Sequence, residues 1–217
     1  MLNRSAARVT SRTVEPNIYP TDVDVRTLEN FIERCSQLDA PSVLEVGARR
    51  TIESRSTLHQ PYVPNAGRYI GTDIEAGHDV DVVADVHELS ARVGEESFDV
   101  IIACSVFEHL KYPHLAAHEV MKTLKVGGLL FLDTHQTFPV HPFPYDYFRF
   151  TREALAGLFG TKMGFHVIST EYKFPAMICA PEDTNAYKWP AFLNVSLFGE
   201  KVSQTPQEYI YEFDGQG

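Results

Sequence analysis

No apolar run in the 217-residue sequence approaches the ~20 residues that a membrane-spanning helix needs, so no such helix is expected. The N-terminal stretch MLNRSAARVTSRTVEPN is basic but lacks the apolar segment of a signal peptide. Cysteine is scarce. Cys35, Cys104 and Cys179 are far apart and form no CxxC or other metal-spaced pair, which argues against a disulfide framework and a clustered zinc site. A reducing, cytoplasmic setting is the expectation. Positive charge is also short, with 19 Lys and Arg against 29 Asp and Glu and a formal net charge of −10. That balance argues against a general electrostatic grip on nucleic acid or on anionic lipid. A small or neutral partner fits better. Repeats, low-complexity tracts and shifts of composition are absent too, so one domain over residues 1–217 is predicted.

What is present is an alternation of strand and helix signals. Residues 1–20 read as flexible, followed by a first helix within 21–40. There Val25, Leu28, Phe31, Ile32 and Cys35 fall at helical spacing, with Thr21 or Asp22 as cap. Strands are predicted at SVLEVG (42–47), RYIGTDI (68–74), DVDVVAD (79–85) and FDVIIACS (98–105), the last apolar enough for burial on both faces. A helix over 113–128 places Leu115, Val120, Met121 and Leu124 on one face and stops at Gly127; GLLFLDT (128–134) is the fifth strand. Thr151 caps a short helix carrying Ala154, Leu155 and Leu158 that ends at Gly160. GFHVISTEYKF (164–174) and AFLNVSLFGEK (191–201) close the chain as strands with no helix between them. The pattern predicts an α/β fold: a Rossmann-like, mostly parallel seven-stranded sheet with helices on both faces and an antiparallel edge strand.

In such sheets ligands sit beyond the carboxyl ends of the strands. The first strand ends at Glu45, Val46, Gly47, Ala48, Arg49, without the GxGxxG that brings backbone against a pyrophosphate. The second ends at Asp73, where a carboxylate can accept both ribose hydroxyls, and the third at Asp85, which can accept an adenine amine. These features describe an adenosine pocket without a phosphate clamp.

Taken in order, VLEVGA, YIGTDI, VVADVHEL, FDVIIACSVFEHL and LKVGGLLFLDT resemble the class I S-adenosylmethionine-dependent methyltransferases over residues 41–160. The resemblance implies Glu45 and Gly47 beside the methionine part of S-adenosyl-L-methionine, and Asp73 with Ile74 at the ribose. It also implies Asp85 with Val86 at adenine, and Cys104 with Ser105 as the pocket floor. Residues 41–134 would form the cofactor half and 135–217 the substrate side. The family usually has further glycines after Gly47, where this chain has Ala48, Arg49 and Arg50; Arg49 is placed to reach the cofactor carboxylate.

The acceptor side carries HPFPYDYFRFT, residues 141–151, whose prolines fit a loop better than a helix or strand. It is similar to a stretch in a bacterial subgroup linked to surface glycans and secondary products. An oxygen acceptor must lose a proton, and His109, His135 and His141 are the histidines that the strand order brings to that end. Tyr145, Asp146 and Arg149 are candidate acceptor-binding residues, although Arg149 can equally be a structural clamp on a carboxylate. Glu108 reads as structural, and His114 with His118 as a solvated helix face lacking a third metal ligand. No metal is expected. The (N/D)PP(Y/F) tetrapeptide of DNA amino-methyltransferases and the Pro-Cys pair of cytosine-carbon methyltransferases are both absent, so nucleic acid is a poor acceptor.

The expected function is O-methylation of a sugar, glycoside or secondary-metabolite hydroxyl, with a homodimer as the oligomer considered. A noncatalytic interaction module of the same fold is the alternative, and a nicotinamide-dependent oxidoreductase ranks below both for want of the glycine fingerprint.

Overall fold

The strand signals assemble into one seven-stranded sheet in a computed structural model, which describes residues 26–54, 56, 58–141, 145–178 and 189–209. Thr21, Asp22, Cys179 and residues 142–144 lie outside the described residues. The strands are β1 (Ser42–Val46), β2 (Arg68–Asp73), β3 (Val82–Val83), β4 (Phe98–Cys104), β5 (Leu124–His135), β6 (Phe165–Ile178) and β7 (Trp189–Lys201), in the order β3-β2-β1-β4-β5-β7-β6. β1 to β5 run parallel, and β7 inserts antiparallel between β5 and β6, so the antiparallel pairing lies at that edge. The winding reverses between β1 and β4, which is where such a sheet opens a crevice at its carboxyl ends.

Alternation along the central strands divides the core. Val100 and Ile102 of β4 pack with Phe31 and Cys35 of α1 (Thr27–Ser36), while Ile101 and Ala103 face α3 (Pro113–Thr123) on the opposite side. Both faces of the sheet are thus covered, and the uninterrupted apolar run of β4 has that cause. α2 (Leu89–Val93) and α4 (Arg152–Gly157) join the α3 side. The Thr151 hydroxyl accepts from the Ala154 N–H at 3.1 Å, as expected of an N-cap.

Three local expectations are corrected. α3 ends at Thr123 and β5 begins at Leu124, because Leu124 already pairs with Phe98 and the ladder then shifts register before Leu129. Gly127, at φ +82°, belongs to that irregular stretch of strand and not to a helix stop. Leu115 is 40% exposed; Ala116, Ala117, Val120 and Met121 form the buried face of α3. His118 is no solvated surface residue: it is buried, and its Nε2–H donates to the Pro206 carbonyl at 2.7 Å.

Candidate active site

A cleft of about 900 Å³ opens over the carboxyl ends of β1, β2 and β4. Gly47 sits at its mouth with φ +77°, and a Cβ there would stand 2.4 Å from Val106 Cγ2. Both the conformation and the close approach require glycine. Ala48 is buried behind this turn, where a Cβ on the facing Gly71 would lie 2.8 Å from the Ala48 Cβ. Ala48 therefore packs the wall and does not line the cleft. Arg49 does line it, with its guanidinium 2.9 Å from Glu75. Arg50 turns away to a two-point contact with Asp79 at 2.9 and 3.0 Å.

Asp73 lies on the cleft wall at the end of β2, its two oxygens accepting from the Glu75 N–H at 3.0 Å and the Arg49 N–H at 3.3 Å. Ile74, 56% exposed, lines the cleft beside it. Asp85 caps the turn Val86–Glu88, accepting from the His87 N–H at 2.9 Å and the His87 ring at 2.7 Å. Burial pushes the Asp85 carboxyl up, but these two bonds outweigh it and hold its pKa below the ordinary value. Val86 adds an apolar wall.

Cys104 and Ser105 line the cleft. Burial, then the carboxylates of Asp133 and Glu45, raises the Cys104 thiol well above its usual pKa, so it is a protonated packing group and not a nucleophile. Ser105 holds the left-handed conformation at φ +55°, its N–H donating to the Asp133 carbonyl at 2.8 Å. A non-glycine residue strained in this way marks a site that its surroundings over-determine.

Glu45 does not line the cleft. Its buried carboxylate accepts from the Tyr69 hydroxyl and, at 2.9 Å, from the His59 N–H, with the His59 ring 2.8 Å away. It braces the segment 58–62, which supplies Leu58, His59 and Tyr62 to the cleft wall.

The structure gathers the three candidate histidines around the turn after β4. The His141 ring centroid is 5.0 Å from that of His109 and 5.1 Å from that of His135. Of the three, His109 lines the cleft, together with Tyr145 and Tyr147. The His109 Nδ1–H donates to the Tyr145 carbonyl at 2.6 Å, and its Nε2 lies 3.8 Å from the Glu108 carboxylate. His135 stacks on Phe138 at 4.1 Å behind this wall, and burial lowers its pKa even though Glu108 pulls the other way. Between the histidines lies Glu108, fully buried, with Oε2 accepting from the Thr134 hydroxyl at 2.7 Å. The Glu108 backbone carbonyl accepts from the N–H groups of Tyr147 and Phe148 at 2.8 and 3.1 Å, and the His135 carbonyl from Phe150 N–H at 2.9 Å. The loop is thereby tied to the turn after β4.

Asp146 and Arg149 brace that loop and do not line the cleft. The guanidinium makes a two-point contact with Asp146 at 2.5 and 2.6 Å and also reaches the Phe138 and Pro139 carbonyls at 3.2 and 3.1 Å. The Arg149 hydrogen bonds hold the Asp146 carboxyl well below the usual range. The clamp reading of Arg149 fits this geometry.

Sequence reasoning passed over Asp133 and Lys173. Asp133 lies near the carboxyl end of β5, lines the cleft and accepts from Lys173 at 3.0 Å; the logic applied to Asp73 reaches it. Lys173 comes from β6 and follows only from the antiparallel pairing of β6 with β7.

The protein-family model described as Methyltransferase domain matches residues 21–170. The chain belongs to that family. No curated protein matches it significantly. Among solved structures, a candidate methyltransferase from Bacillus halodurans is similar at 12% identity and a TM-score of 0.60, over 81% of this chain and 99% of that one. A S-adenosylmethionine-dependent methyltransferase from Archaeoglobus fulgidus gives 13% and 0.59, over 80% and 91%. The Burkholderia thailandensis 1,6-didemethyltoxoflavin-N1-methyltransferase, solved with 1,6-didemethyltoxoflavin and S-adenosylhomocysteine, gives 15% and 0.55, over 82% and 77%. At these identities the structures share the fold, which is that of methyltransferases.

Proposed function

We propose that this methyltransferase domain carries a methyl group from S-adenosyl-L-methionine to a hydroxyl of a small polar acceptor, a sugar, glycoside or secondary metabolite. The observation that carries the reading is that one cleft is lined both by Gly47, Asp73 and Asp85, from the ends of β1, β2 and β3, and by His109, Tyr145 and Tyr147, from the turn after β4 and the loop after β5. The first set fits an adenosyl group without phosphates. Asp73 and Asp85 keep carboxylate oxygens on the cleft wall, Ile74 and Val86 offer apolar contact to a base, and the bare Gly47 admits close approach. The methyltransferase family match supports the same donor.

S-adenosylmethionine supplies an activated methyl group on its sulfonium. What remains for the protein is alignment, exclusion of water and removal of the acceptor proton. Tyr145 and Tyr147 present flat, exposed faces on which a sugar ring or an aromatic aglycone can stack. His109, with its proton fixed on Nδ1, takes the acceptor proton at Nε2 as general base. His135 and His141 act from behind, positioning His109 and its loop. Within one domain, residues 41–134 supply the donor site and, at His109, the base, while 135–217 supply the rest of the acceptor site; three widely spaced cysteines without a CxxC motif are in keeping with a cytoplasmic site of action.

Calorimetry with S-adenosylhomocysteine tests the donor, and methyl-donor turnover against a panel of glycosides, amines and carbon nucleophiles tests the acceptor. Absence of S-adenosylhomocysteine binding at millimolar ligand, or turnover of amines alone, defeats the respective half of the reading.

A further inference from the structure

Behind the cleft wall, Glu108, His135 and His141 each bring one ligand-type atom to a common point, all within 4.8 Å of one another. Glu108 and His135 are buried. Glu108 Oε1, in a side chain with no solvent exposure, accepts no hydrogen bond, although His135 Nε2 lies 3.2 Å away and His109 Nε2 3.8 Å away. A buried carboxylate oxygen that has an imidazole beside it but accepts no hydrogen bond is costly unless something occupies the space it faces.

From these groups we infer that Glu108, His135 and His141 bind a divalent transition-metal ion of the zinc class. Donors held about 2.0–2.2 Å from a common zinc ion stand a little over 3 Å apart in a tetrahedron. Glu108 Oε1 and His135 Nε2 already have that spacing, at 3.2 Å. His141 sits on the loop, partly exposed, and is the member able to close the remaining gap. Its Nδ1–H donates to the Pro139 carbonyl at 3.0 Å, which leaves the Nε2 lone pair for a metal. A backbone carbonyl orienting a histidine in this way is the usual support for an imidazole ligand. Two imidazoles and one carboxylate favour zinc, cobalt or nickel over magnesium or calcium, which prefer oxygen alone. The ion would join strand β5 and the turn after β4 to the loop that carries Tyr145 and Tyr147. The inference concerns metal binding by itself and does not depend on which acceptor is methylated.

The test uses the full chain, stripped with chelator and titrated with Co²⁺ and Zn²⁺. One equivalent of Co²⁺ should bind with visible d–d bands, Zn²⁺ should displace it, and Zn²⁺ should raise the thermal midpoint by mass action. His141→Ala and Glu108→Gln should each weaken Co²⁺ binding by at least tenfold, whereas His114→Ala on the outer helix should leave it unchanged. His141 lies in a loop, so its variant tests the site even if the buried Glu108 variant fails to fold. Absence of a d–d spectrum at millimolar Co²⁺, equal binding of Mg²⁺, or full binding by a natively folded His141→Ala chain overturns the inference. S-adenosylhomocysteine binding measured on the same samples separates that outcome from a failure of the methyltransferase reading.

Discussion

The ring of His109 is tethered to the main chain of Tyr145 by a 2.6 Å hydrogen bond, and the side chains of both residues face the same cleft. The tether fixes the tautomer of the histidine and ties its position to the aromatic loop. A change in the loop is therefore felt at the proposed base.

If His109 removes the acceptor proton, His109→Gln should lower kcat by about 10²-fold or more. Its affinity for S-adenosylhomocysteine should stay within twofold of the parent, because the donor end of the cleft is formed by other strands. A parallel loss of donor affinity would show that the residue holds the cleft together and has no part in the chemistry.

Asp73 presents both carboxylate oxygens at the cleft wall while accepting from two backbone N–H groups. Replacing it with alanine removes the acceptor proposed for the ribose hydroxyls and should abolish binding of S-adenosylhomocysteine in calorimetry. Asp73→Asn keeps the shape and one acceptor oxygen, so it should retain measurable affinity, weakened by roughly tenfold for each charge-assisted bond lost. Equal affinity in the parent and the alanine variant would remove Asp73 from the donor site.

Much of this arrangement was legible because strand-end residues in a parallel sheet have one place to go. Gly47, Asp73 and Asp85 follow from the ends of apolar runs, Cys104 and Ser105 from the family resemblance, and all five line the cleft. The misreadings have a common physical origin in contacts between residues distant in sequence. Glu45 ends a strand too, but its side chain meets His59 and Tyr69, and nothing local predicts that pair. His118 follows a surface-like pattern until Pro206 and Tyr209 cover it. Leu124 has apolar spacing that continues the helical face of α3, whereas pairing with Phe98 draws it into β5. The loop after β5 announced its aromatics but not its division of labour between wall, at Tyr145 and Tyr147, and brace, at Asp146 and Arg149.

At the opposite end of the sheet, Asp99 ties β4 to β1 and β5, accepting from the Ser42 N–H at 2.9 Å, the Ser42 hydroxyl at 2.6 Å and Lys125 at 2.9 Å. Burial raises its pKa, but the bonds from Lys125 and Ser42 outweigh burial, and the net shift is downward. A carboxyl with a folded pKa below its unfolded value of about 3.9 contributes stability above that value. The contribution is lost as pH falls through the folded pKa. Urea midpoints should therefore drop more steeply below about pH 4 in the parent than in Asp99→Asn, which starts lower and changes less. Parallel pH curves for the two proteins would mean that Asp99 carries no linked proton.

Gly47 offers a test of the cleft's mouth that separates conformation from contact. Alanine at this position must hold φ +77° and place its Cβ 2.4 Å from Val106 Cγ2. The left-handed backbone alone costs an L-residue about 1–2 kcal/mol, and the collision adds to it. Gly47→Ala should thus lower the urea midpoint and also weaken S-adenosylhomocysteine binding, since Val106 can yield only toward the cleft it lines or into the core. Val106→Ala removes the colliding methyl group. In the double variant the contact part of the penalty should vanish and the conformational part persist, giving a coupling of about 0.5–3 kcal/mol between the two positions. Strict additivity would show that the turn relaxes away from Val106, and full rescue would show that the backbone at residue 47 leaves the left-handed region once a side chain is present.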